Sequence, residues 1–141
     1  MRRAGSERGF SLVELVVAMG ILGILASIAI PAYLSYTRTS NRTDATRTMT
    51  VDAQALERCY SQSFTYVGCA GAAAGTLASA QGYYNVTIAP AAGSYTITAV
   101  PVKAPQTGDS ACAQFTLNSA GTQGATTAGA QNSTQQCWGS T

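Results

Sequence analysis

Apolar residues are arranged along this chain in two ways. From residue 12 to residue 30 they form a nearly unbroken run that carries one charge, Glu14. Nineteen residues of helix span about 28 Å, the thickness of a bilayer core. Farther on the pattern becomes periodic. Ala45, Met49, Ala53, Leu56 and Tyr60 recur at intervals of four, four, three and four, which places them on one stripe of a helix. One long helix is therefore expected over residues 10–61, its first half apolar all round and its second packed against a sheet. Asp44, Arg47, Asp52, Glu57 and Arg58 fall mostly off the stripe and read as a solvated face.

After the helix the period changes to two. Tyr84, Val86 and Ile88 share one face of a strand over residues 83–88, and Tyr95, Ile97 and Ala99 share one over residues 95–100. Phe115 and Leu117 do the same over residues 114–117. Residues 90–94 join the first two strands as a hairpin, Pro101 and Pro105 end the second, and Ser119-Ala120-Gly121 marks a turn. An antiparallel sheet of three or four strands is the expectation, and the class is α+β. Residues 63–81, centred on Ala70-Gly71-Ala72-Ala73-Ala74-Gly75, read as a loop, either a connector or a contact region. Residues 122–136 are almost wholly Gly, Ala, Thr, Gln and Asn and offer little to bury. Trp138 is expected to anchor that segment, or else to meet a partner.

The charges around the apolar run give it a direction. Arg2, Arg3 and Arg8 precede it, and Arg38 is the first basic residue after it. The excess of cations places the short head in the cytoplasm and the remainder across the inner membrane. A secretory signal peptide has small residues at a cleavage site after its apolar stretch. Here the run ends in Ile28-Ala29-Ile30-Pro31-Ala32-Tyr33, and the small residue, Gly9, lies before it. A carboxylate in a membrane segment is costly and marks function by default. The plain alternative is an uncleaved signal-anchor with Glu14 at the interface.

Gly9-Phe10-Ser11-Leu12-Val13-Glu14, followed by that apolar run, resembles the N-terminal motif of type IV prepilins. Ser40-Asn41-Arg42-Thr43, residues 58–62, residues 117–121 and Cys137-Trp138 resemble minor pilins of the PilE type. The resemblance implies the type IV pilin fold and three parts: a basic leader, 1–9; a transmembrane and filament-core helix, 10–33; and a periplasmic or extracellular domain, 34–141. It implies that prepilin peptidase cuts between Gly9 and Phe10 and methylates the new amine of Phe10. It further implies that Glu14 pairs with the Phe10 amine of a neighbouring subunit, consistent with the rule that buried charge persists only when paired. Pro31 is expected to kink the helix, and Gly20 and Gly23 weaken the upstream turns. In assembled pili of this family the stretch corresponding to residues 23–31 can lose helicity.

Four cysteines in an exported domain read as two disulfides. Three pairings are possible. Proximity favours Cys59 with Cys69 and Cys112 with Cys137, and the second pair resembles the C-terminal disulfide loop of the family. No histidine and no Cys-x-x-Cys pair is present, so neither a zinc site nor Ser-His or Cys-His catalysis is expected, and no cofactor is implied.

The chain carries eight basic and six acidic side chains, but residues 10–141 hold five of each. A neutral surface argues against direct nucleic-acid binding. The sequence thus points to a structural minor pilin and not an enzyme, with roles in pilus assembly, adhesion or twitching motility. Its expected partners are prepilin peptidase, other pilin subunits and, before assembly, the inner membrane, with no small-molecule substrate. The alternatives are a pseudopilin of type II secretion and a DNA-uptake pilin.

Overall fold

A computed structural model describes residues 9–69 and 75–139. The leader residues 1–8 and most of the Ala/Gly loop centre, residues 70–74, lie outside the described residues. The chain divides into two units, residues up to Ser35 and residues from Tyr36 onward.

Helix α1 runs Leu12–Ser63 and stays helical on both sides of Pro31. In its first unit every described side chain is exposed, including Leu12, Val16, Ile21, Leu25 and Ile28. This is the one helix, among the described residues, long and apolar enough to cross a membrane.

In the second unit five strands form one antiparallel sheet in chain order: β1, Thr76–Ala78; β2, Tyr84–Pro90; β3, Tyr95–Pro101; β4, Gln114–Asn118; and β5, Gln123–Thr126. A short helix, α2, closes the chain at Thr134–Trp138. The expected alternation holds on all three central strands, with Tyr84, Val86 and Ile88, then Tyr95, Ile97 and Ala99, then Phe115 and Leu117 buried. Register aligns them across the sheet: Ile88 faces Ile97, Ile97 faces Leu117, and Phe115 sits between Ala99 and Ala125. Ala45, Met49 and Leu56 of α1 are buried in the same cluster, with Ala53 and Tyr60 packed at its margin.

Three expectations need correction. The loop over residues 63–81 contains β1, whose three exposed residues pair with Val86 and its neighbours. The polar segment after Gly121 contains β5 and most of α2, so the sheet has five strands and not three or four. Backbone pairing with β4, not side-chain burial, organises this segment, and Ala125 is its one buried strand residue. A Cβ at Gly124 would lie 2.5 Å from Thr116 Oγ1 on the facing strand, so a larger residue there would force Thr116 to shift. Third, Asp44 is buried and not part of a solvated face.

Candidate functional site

At the head of α1, Phe10 and Glu14 are both exposed, and Glu14 occupies the first turn of the helix. The amide of Leu15 donates to Ser11 O at 3.1 Å, and the helix starts two residues after Phe10, at Leu12. Glu14 has no cationic partner among the described residues. An exposed carboxylate held in a first turn, four residues after an exposed Phe10, can accept an ion pair from outside this chain.

The domain's own charges are used differently. Arg42 makes a two-pronged pair with Asp109, Nε to Oδ2 at 2.8 Å and Nη2 to Oδ1 at 3.0 Å. Asp109 is nearly fully buried, and Arg42 also donates to the carbonyl of Gln136. One guanidinium therefore links α1, the loop before β4 and α2. Such bidentate pairs fix geometry as well as charge. Arg38 donates to Pro105 O at 3.2 Å and lies over Gly108, where a Cβ would sit 2.8 Å from its Nη2. Gln106, buried, donates to Arg38 O and to the hydroxyl of Tyr84.

Asp44 organises the approach to β2. Its carboxylate accepts from Ser79 Oγ, from the amide of Gln81 at 3.0 Å and from the amide of Tyr83 at 3.4 Å. Ser79 Oγ in turn accepts from the amide of Tyr84. A buried anion with several donors is satisfied without a counter-ion. Sequence reading missed this role because a lone acid beside an apolar stripe looks like any surface acid. The available signal was its adjacency to Ala45, the first residue of the stripe.

Two disulfides close the unit, Cys59–Cys69 and Cys112–Cys137. Beside the first, Tyr60 stacks on Tyr66 at 4.4 Å between centroids and Tyr66 meets Tyr95 edge-on at 4.9 Å. Burial pushes the Tyr95 hydroxyl up to about 12, and the Glu57 carboxylate adds to the effect. Burial likewise raises Asp52, whose Oδ2 is buried without a hydrogen-bond partner among the described residues. Beside the second disulfide, Trp138 donates its Nε1 proton to Gly124 O at 2.8 Å and packs edge-on against Phe115. It is part-exposed, so the indole both anchors the segment and faces solvent.

Arg47, Arg58 and Lys103 are exposed and make no ion pair among the described residues. Lys103 Nζ lies 5.5 Å from the Tyr83 ring centroid.

Residues 31–116 match the profile of a family described as "Type IV minor pilin ComP, DNA uptake sequence receptor". The chain belongs to this family of type IV minor pilins. Residues 5–30 of the pilin match the prokaryotic N-terminal methylation motif. Prepilin peptidase-dependent protein D of Escherichia coli K12 is 45% identical over 53 residues, 38% of this chain and 36% of that protein. Fimbrial protein EcpC of Eikenella corrodens is 36% identical over 78 residues, 55% of this chain and 50% of its own length. The type IV major pilin PilE1 of Neisseria gonorrhoeae is 44% identical over 39 residues, 28% of this chain and 24% of its own. The pilin thus spans between about a quarter and a half of these relatives. Among solved structures, a type IV pilin from Shewanella oneidensis is 27% identical, covers 61% of this chain and 89% of its own, and has a TM-score of 0.46.

Proposed function

We propose that this minor pilin is a structural subunit of a type IV filament, held in the inner membrane by the first half of α1 until it is assembled. Prepilin peptidase removes residues 1–9 and methylates the amine of Phe10. The domain over residues 34–141 then faces the periplasm and, after assembly, the exterior. The observation that carries this reading is the exposed pair of Phe10 and Glu14 at the head of an apolar helix segment that has no packing partner among the described residues. In the membrane Glu14 is an unfavourable charge. In the filament it meets the Phe10 amine of a neighbour, and an ion pair in apolar surroundings fixes the register. Pro31 and the glycines upstream of it make residues 23–31 the stretch that yields on assembly.

Mass spectrometry of membrane-extracted protein should find methylated Phe10 as the first residue. Glu14→Ala should leave cleavage and membrane retention intact, while sheared filaments lose the subunit. Mutant subunits at wild-type abundance in filaments would refute the pairing.

A second reading, capture of DNA at the filament surface, is favoured by the description of the family matched over residues 31–116. Among the described residues, Arg47, Arg58 and Lys103 are exposed cations without an ion pair and available for phosphate. Few contacts mean weak and salt-sensitive binding, with log K falling by about 0.9 per log unit of salt for each phosphate contacted. Full-length protein in detergent, titrated with duplex DNA across a salt series, tests this. No binding at low salt, or binding unaffected by replacing all three cations with Gln, discards it.

A further inference from the structure

Three grooves of the folded domain share one indole. The largest, about 810 Å³, is lined by Gln123, Asn132, Gln135, Gln136 and Trp138, together with the hydroxyls at the start of α2. A second, about 380 Å³, shares Gln123 and Trp138 and adds Thr46, Arg47 and Thr50 from α1. A third, about 200 Å³, again includes Gln136 and Trp138. Among the described residues no carboxylate side chain lines any of them. The Arg42 guanidinium at the third is already committed to Asp109, which leaves Arg47 as the one unpaired cation of the set.

The indole is held firmly. Its Nε1 proton goes inward to Gly124 O, its edge rests against Phe115, and the neighbouring residue is fixed to Cys112 by a disulfide. The polar end of the ring is thus spent inside the fold, and what the grooves receive is its apolar surface. Around that surface the side-chain amides of Gln123, Gln135 and Gln136 have no hydrogen-bond partner among the described residues. Each carboxamide offers two donors and one acceptor. A rigid aromatic plate with convergent neutral donors and acceptors, at the mouth of a sizeable groove, is the form of a small-ligand site.

The ligand chemistry follows from the lining. A pyranose ring has one face of C–H groups, suited to the indole, and a rim of hydroxyls that both donate and accept. A polyanion is poorly served, since phosphates need several cations and the described residues lining the largest groove include none. We propose that this surface is a binding site for a neutral oligosaccharide, with Trp138 as the stacking platform and Gln123, Gln135 and Gln136 as hydroxyl ligands. The proposal goes beyond the filament reading and stands whether or not the pilin binds DNA.

Trp138 is the single tryptophan of the chain, so its emission reports occupancy directly. Full-length protein in a zwitterionic detergent without a sugar headgroup is titrated separately with maltohexaose, with oligosaccharides of N-acetylglucosamine, galactose and mannose, and with single-stranded dT12. A saturable emission change with at least one neutral oligosaccharide is expected. It should weaken roughly tenfold or more in the Gln135→Ala/Gln136→Ala variant, whose exposed positions leave the melting temperature unchanged. A response to dT12 but to no sugar assigns the grooves to nucleic acid and overturns the proposal. So does no response to any sugar, or equal affinity in the double variant.

Discussion

Two parts of one helix obey opposite rules. From Leu12 to Ser35, α1 exposes every described side chain, whereas from Asp44 onward it buries Asp44, Ala45, Met49 and Leu56. The second part is stabilised by the sheet it packs on, as helices in proteins generally are. Among the described residues the first part has no such support, and it leaves a large apolar surface exposed, the mark of a surface that meets a membrane or a partner. Even the charges follow this division. Glu14 has no ion-pair partner among the described residues, while Asp44 and Asp109 are engaged by theirs.

The sharpest way to break this contrast is to compare equal injuries in the two parts. Phe115→Ala removes a ring that touches both Tyr84 and Trp138, and should cost about 3–5 kcal/mol in chemical denaturation of the domain. Leu25→Ala should cost the domain less than about 0.5 kcal/mol, since its site is exposed. Similar losses at both sites would mean that the apolar half of α1 supports the domain after all.

Arg42→Ala should rank next. It leaves Asp109 buried without its counter-ion and releases the carbonyl of Gln136, at a cost of about 3 kcal/mol. The contrast with Glu14 is the point of this test, because Glu14→Ala should leave the melting temperature of the domain where it was.

Much of the fold could be read before the structure, and the exceptions share a cause. Strands β2, β3 and β4 alternate apolar and polar residues, so their inner faces were visible. Strands β1 and β5 are Thr-Leu-Ala and Gln-Gly-Ala-Thr, which have no such rhythm. They are strands because a neighbour presents an unpaired edge, a tertiary effect that overrides local preference. Asp44 was misread for the same reason, since only the fold brings Ser79, Gln81 and Tyr83 to it. Of the candidate site, Gly9, Phe10 and Glu14 stand out in sequence because contiguous residues form a motif. The amides around Trp138 come from β5, from the turn after it and from α2, and in sequence they look like low complexity.

A smaller effect is expected in alkali. The hydroxyl of Tyr95 holds its proton more tightly in the folded state, at about 12 against the ordinary 10. Its contribution is therefore complete below pH 10 and is lost as the pH rises toward 12. Tyr95→Phe should flatten this alkaline limb in a melting series, though Tyr66 and Tyr84 are also raised and will leave part of it. An unchanged limb would show that Tyr95 does not titrate within the fold.

The smallest effect concerns Asp52, and its sign is opposite to that of a paired carboxylate. Burial raises its pKa above 3.8, so the folded state favours the protonated form. The stability this provides is present below the ordinary value and is lost as the pH rises through the raised one. Asp52→Asn should therefore raise the melting temperature at pH 7 by about 1–3 °C, and the gain should vanish in acid. A decrease at pH 7 would reveal a donor to Asp52 that the described residues do not supply.

The far edge of the sheet has a consequence for how the domain meets other chains. An open strand is a template on which another chain can grow, and the danger rises when many identical domains are held side by side. Here β5 is shielded by the chain folding back on it: Asn132 bridges Thr126, the amide of Ser133 donates to Ala125 O, and Thr134 Oγ1 accepts from the amide of Ala125. The Cys112–Cys137 bond then keeps that fold-back in place. Oxidation thus acts as a safety catch. It keeps the β5 edge covered by its own chain, so that this edge is not offered to a second chain as a template.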